Sequence, residues 1–177
     1  MRWARWLLVM LAVCAAAGSR AAAEINWPEA VGRLAQERSQ AEICVVLLKR
    51  YGDAEAVARG ALAYGDAKAE YDGVIAKLDA ALDGNGRPES LPDLEAQLRR
   101  GFDKRAAFCK SVQPYLSPSS IGTKGVVEEL VSGTAAPLVD AVRSIWGRTR
   151  VDNALQRQTI RTQLKAMTWP SYASVSP

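Results

Sequence analysis

Between residues 53 and 83 the apolar residues return every third or fourth position: Val57, Gly60/Ala61, Tyr64, Ala67, Tyr71, Val74/Ile75, Leu78 and Ala81/Leu82. Sustained over nearly four heptads, this rhythm predicts a helix that offers one seam to a bundle or coiled coil. Asp53 is placed to cap its start, and Gly84-Asn85-Gly86 to end it. A preceding helix is predicted from about Pro28, a proline suited to a first turn, to Tyr51, with Gly52 as its stop. Within it, Ile43-Cys44-Val45-Val46-Leu47-Leu48 is apolar on every side, so that stretch must be enclosed by neighbours or cover a partner.

A third helix is predicted from Ser90 or Pro92, with Ser90 and Asp93 spaced like a capping box, to about Val112. Its apolar stripe is Leu94, Leu98, Phe102, Cys109 and Val112, with Phe108 at the edge. Arg105 falls inside that stripe, where it must either snorkel out or meet a buried acid. Pro114, Pro118 and Gly122 then mark a loop, and a last helical region runs from about Lys124 to Thr168, broken near Gly133 and Pro137 and ended by Trp169-Pro170. Alternating β-branched runs are nearly absent. The expectation is an all-α, up-down bundle of about four helices forming a single domain over residues 24–170, with a tail, 171–177, that frays.

The first 23 residues carry a different pattern. Arg2 and Arg5 precede the unbroken apolar run Trp6 to Val13, and the small residues that follow end in Ala21-Ala22-Ala23. That is the order of a cleaved export signal, with Glu24 as the expected first residue of the processed chain. The run is short for the roughly 20 residues that span a bilayer, so no transmembrane segment is expected after cleavage. Cys14 raises the alternative of a lipoprotein anchored through an acylated cysteine, but Val13 stands where such signals want a small residue.

Export gives the cysteines a reading. Once 1–23 is removed, Cys44 and Cys109 are the two that remain. In an up-down bundle helices one and three run parallel. Cys44 lies 16 residues after Pro28 and Cys109 lies 17 after Pro92, so the two sit at nearly the same height. A single structural disulfide closing a loop of about 65 residues is the expectation, stabilising the fold by roughly 2 to 4 kcal/mol. A metal pair lacks its third and fourth ligands, and the spacing is not that of a redox CxxC.

Charge changes the picture further. The formal charge of +4 includes Arg2, Arg5 and Arg20, and removing them leaves 20 basic against 19 acidic residues. No strongly basic domain survives, which disfavours nucleic acid. The remaining charge is uneven: residues 143–165 hold six cations against Asp152 alone. On one continuous helix Arg143, Arg150, Arg157, Arg161 and Lys165 would share an arc of about 80°. This basic ridge is the candidate surface for a protein or an anionic envelope partner, since guanidinium groups suit bidentate contacts to carboxylate or phosphate. The alternative is that its arginines pair with acidic faces of helices one to three. Beside the ridge, Thr149, Asn153 and Gln156 interrupt the apolar stripe, while Val151 and Leu155 point away from it.

The chemistry that remains is defined by what is missing. The chain has no histidine, which removes Ser-His and Cys-His nucleophilic pairs and nearly all zinc sites. Phosphate-loop, dinucleotide, nucleophile-elbow and EF-hand spacings are absent as well. No catalytic residue, metal or cofactor is therefore assigned. The expected function is that of an exported, periplasmic or secreted, non-enzymatic binding or adaptor protein. The competing reading is a histidine-free enzyme acting on cell-wall glycan through two carboxylates, with Glu128/Glu129 or Asp72/Asp79 as the pairs that can be drawn.

Overall fold

A computed structural model describes residues 27–82, 91–116, 125, 128, 130–146 and 154–177. The expected signal 1–23, the Gly84-Asn85-Gly86 turn, Arg148 to Asn153 and Glu129 lie outside the described residues, as does the Cys14 alternative. Among those residues the fold is all-α: α1 (Trp27–Tyr51), α2 (Ala54–Leu82), α3 (Leu91–Lys110), α4 (Ala136–Trp146) and α5 (Ala154–Ala166), with 3-10 turns at Gln113–Tyr115 and Tyr172–Ser174. Of the last helical region, expected as one long helix after Pro137, α4 and α5 are described, and residues 147–153 between them lie outside the described residues. The expected break near Pro137 is present: Gly133 has φ +120°, and α4 starts with Pro137 in its first turn.

Local chemistry accounts for the boundaries. Gly52 ends α1 by donating its N–H to the Leu48 carbonyl at 2.8 Å. A side chain there would press within 2.7 Å of that same oxygen. The Asp53 side chain then accepts the Ala56 N–H at 2.7 Å, the expected cap of α2.

The seams pack as periodicity requires. On α1 the buried residues are Trp27, Ala30, Leu34, Glu37, Ala41, Cys44, Val45 and Leu48, and on α2 Gly60, Tyr64, Ala67, Tyr71, Val74, Leu78 and Ala81 repeat the heptad. Full burial of a Leu or Val from these stripes contributes about 1.5–3 kcal/mol. Gly60 matters for closeness, because a Cβ at that position would lie 2.1 Å from Leu48 Cδ2. The most extensive helix contact is between α2 and α3; α1 packs on α2, α3 and α4, and α5 lies against α2.

Cys44 and Cys109 form the disulfide, with Cα atoms 5.3 Å apart and both residues fully buried. This joins α1 to α3, as their matched heights require. No helix among the described residues is long and apolar enough to cross a membrane.

The tail is the main departure from expectation. Residues 171–177 do not fray but close over the bundle. Trp169 is 2% exposed and stacks on Tyr71 at 4.8 Å between ring centroids, with 19° between planes. The Tyr64 hydroxyl donates to the Pro170 carbonyl at 3.0 Å, and the Tyr172 ring sits edge-on to Tyr64. Lys49 Nζ donates to the carbonyls of Tyr172 (2.7 Å) and Val175 (2.6 Å), and more distantly to that of Ala173 (3.3 Å). A cation gathering three carbonyls and a buried Val175 outweigh the entropy that frees an unpacked terminus.

Candidate functional site

Four of the five ridge residues are described. Arg143, on α4, reaches α3: its Nε and Nη2 donate to the two Glu95 oxygens at 2.7 and 2.9 Å, and its Nη1 to Asp140 at 3.0 Å. Its guanidinium beside Glu95 holds that carboxyl below the usual range. Arg161, on α5, instead reaches α2, donating through Nε to Asp79 at 2.6 Å. Arg157 is half-buried, Lys165 is exposed, and Arg150 lies outside the described residues. Arg143 and Arg161 therefore face different neighbours, Glu95 on α3 and Asp79 on α2, and residues 147–153, which join their helices, lie outside the described residues. Beside them Gln156 and Leu155 are both exposed, Leu155 at 77%.

Arg105 has met a buried acid. Glu37 enters the core from α1 because it occupies the apolar stripe one turn after Leu34 and one turn before Ala41. Its Oε2 accepts Arg105 Nε at 2.9 Å and the Tyr71 hydroxyl at 2.7 Å, while its Oε1 receives only a long 3.4 Å contact from Arg105 Nη2. Arg105 Nη1 donates to the Leu130 carbonyl, and the guanidinium lies 4.6 Å from the Phe102 ring centroid. Burial, with the charge of Glu37 adding to it, pushes the Tyr71 hydroxyl above its ordinary pKa. Arg105 is 1% exposed and Glu37 7%. Sequence reasoning singled out Arg105 but not Glu37. The available signal was a glutamate at a stripe position seven residues before Cys44, on the helix that the disulfide ties to α3.

Among the concave regions of the described residues, two involve α1 residues singled out above. One, of about 490 Å³, runs between α1 and the tail, floored by Ile43, Val46, Leu47, Pro170 and Val175. Its rim carries the serines 39, 174 and 176 and the Arg38–Glu42 ion pair (2.6 Å). Here the all-round apolar stretch of α1 emerges: Ile43 is 38% exposed, and Val46 and Leu47 are half-buried. The second, of about 160 Å³, is polar and lies over the Glu37–Arg105 pair between α1 and the turn that precedes α4.

Of the carboxylates drawn as catalytic pairs, Asp72 and Asp79 have other partners. Asp72 accepts from Lys68 and from the Trp169 N–H at 3.2 Å, and Asp79 from Arg161. Two carboxylates outside these pairs, Glu70 and Glu95, are held by cations. Burial disfavours the charge on Glu70, but hydrogen bonds from Lys104 and Arg100 outweigh it and hold the group below its ordinary value, as Arg143 does for Glu95. Among the described residues no cluster of three or more Cys, Asp or Glu has the arrangement to hold a metal. No family model, no curated protein and no solved structure matches the chain.

Proposed function

We propose that the chain is an exported, periplasmic or secreted, non-enzymatic binding protein that takes an extended apolar segment of a partner protein into the groove between α1 and its own tail. The observation that carries this reading is the groove floor. Ile43, Val46 and Leu47 belong to the stretch of α1 that is apolar all round, and the bundle covers only its far side. The rim charges balance within the Arg38–Glu42 pair, so the groove matches an uncharged segment rather than a polyanion. Export is supported by the signal-like pattern of residues 1–23 and by a disulfide of the kind that persists in oxidising compartments. The basic ridge enters the same proposal as a second, salt-sensitive contact for an anionic envelope component.

The test is capture from envelope extract by the processed chain at low and high salt, comparing wild type, Ser39→Asp/Ile43→Asp, and Arg150→Gln/Arg157→Gln/Arg161→Gln. A partner lost to the groove variant but kept by the ridge variant, and insensitive to salt, is the expected result. Loss in the ridge variant alone, with recovery depending on salt, would move the contact to the last helix. Release of reducing ends from purified cell-wall glycan would replace the binding reading with the enzymatic one.

A further inference from the structure

Two cations of α1 hold the last part of the chain by its main chain. Arg38 Nη1 donates to the Ala166 carbonyl. Eleven residues further on, about 16 Å along the helix axis, Lys49 Nζ donates to the carbonyls of Tyr172 (2.7 Å), Val175 (2.6 Å) and Ala173 (3.3 Å). The α1 side of the apolar groove falls between these two fixings, and the wall opposite consists of Pro170, Ser174, Val175 and Ser176. The near end of that wall is anchored in its own right, since the Pro170 carbonyl accepts from Tyr64 and Trp169 stacks on Tyr71. The far end is held more sparsely. Ala173, Ser174 and Ser176 are exposed, and residues 172–175 are tied to the bundle by the buried Val175, by the edge of the Tyr172 ring on Tyr64 and by the Lys49 ammonium, which also lies 5.0 Å from the centre of the Tyr172 ring. Lys49 is half-buried and does not itself line the groove.

An ammonium has three donors, and here each has a carbonyl. Hydrogen bonds from a charged donor are roughly twice as strong as neutral ones, so Lys49 is a principal tie on a segment whose ordering costs conformational entropy. We infer that Lys49 is the positioning residue of the groove: by holding residues 172–175 toward α1 it builds the wall against which a bound apolar segment packs, so that docking of the tail and occupancy of the groove favour each other. This role rests on the reading of the groove as a binding site and adds the sign of its coupling to the tail. Coupling between two equilibria is reciprocal, so what loosens the tail must weaken the ligand, and the ligand must in turn hold the tail. A tail that merely covered the site would show the opposite sign, because its release would uncover more of Ile43, Val46 and Leu47.

Two readouts on the processed, oxidised chain test this role. Hydrogen exchange of the amides of residues 172–176 reports the tail, and binding of N-phenyl-1-naphthylamine, an uncharged dye that fluoresces on entering apolar sites, reports the groove. Lys49→Met should speed tail exchange and weaken the dye by about tenfold each, the size expected for losing hydrogen bonds from a charged group, and Lys49→Arg should restore most of both. In the wild type, saturating dye should slow exchange of the tail and leave that of α3 unchanged. Tyr172→Ser, outside both α1 and the groove lining, should act in the same direction as Lys49→Met and serves if that variant does not fold. Ile43→Asp locates the dye in the groove. Dye binding that is lost in Ile43→Asp but unchanged in Lys49→Met, dye binding that strengthens when the tail is released, or tail exchange indifferent to Lys49→Met would each overturn the role of Lys49 and leave the groove reading standing. Absence of saturable dye binding, or binding indifferent to Ile43→Asp, would overturn both.

Discussion

Two arginines of this protein face a glutamate in nearly the same way and in opposite surroundings. Arg105 Nε lies 2.9 Å from Glu37 with its side chain 1% exposed, and Arg143 Nε lies 2.7 Å from Glu95 with its side chain 48% exposed. In the first pair the cost of taking both charges out of water is set against their attraction, the Tyr71 hydroxyl and the Leu130 carbonyl. The pair is consequently a poor source of net stability but a severe constraint, since neither member can be removed alone. In the second pair Arg143 keeps much of its water although Glu95 is 17% exposed, and salt screens the pair. Similar distances thus carry different consequences, and burial decides which.

The sharpest way to break that comparison is Arg105→Met, which strands Glu37 among apolar neighbours. Urea denaturation should show a loss of about 3–5 kcal/mol, while Glu37→Leu/Arg105→Met together should recover most of it. A double variant as unstable as the single one would mean that the pair contributes net attraction of its own. Next in size is the bond one turn beyond Arg105. Cys44→Ala/Cys109→Ala should cost roughly 2–4 kcal/mol, and alkylation of the unfolded, unreduced chain should label neither cysteine. The smallest effect belongs to the exposed pairs and shows in pH. Glu95 and Glu70 titrate below their ordinary value near 4.5, so the stability they contribute is complete above that value and is lost as the pH falls through their lowered values in the folded protein. Arg143→Gln should flatten the acid limb of the stability curve while leaving the midpoint at pH 7 within error. A large shift at pH 7 would place Arg143 in the same class as Arg105.

The elements were legible wherever a local rule decided them. The 3-4 repeat of α2, the Asp53 cap, the Gly52 stop and the matched heights of Cys44 and Cys109 all follow from spacing along the chain, and the structure carries each of them. Arg105 was half legible, because a charge in an apolar stripe announces a partner without naming it. The ridge was legible as a spacing of cations but not by its partners, because Glu95 and Asp79, which Arg143 and Arg161 meet, lie 48 and 82 positions earlier. The tail was illegible for another reason. Its one local signal is Ser171, which caps the Tyr172–Ser174 turn by accepting the Ser174 N–H, and its placement depends on Lys49, Tyr64 and Tyr71, which lie about a hundred residues earlier.

The docking of the tail also bears on how this bundle forms. Helical bundles fold fast because most of their contacts are local in sequence. Here the hydroxyl of Tyr64 meets Pro170 across 106 positions, and the Trp169 N–H meets Asp72 across 97. α1 and α3 cover part of these tyrosines, through Glu37 and Phe108, and the tail covers the rest across a span of about a hundred residues. Closing so long a loop costs chain entropy that the local helix contacts do not, so shortening or removing the tail leaves an aromatic face of α2 open to solvent.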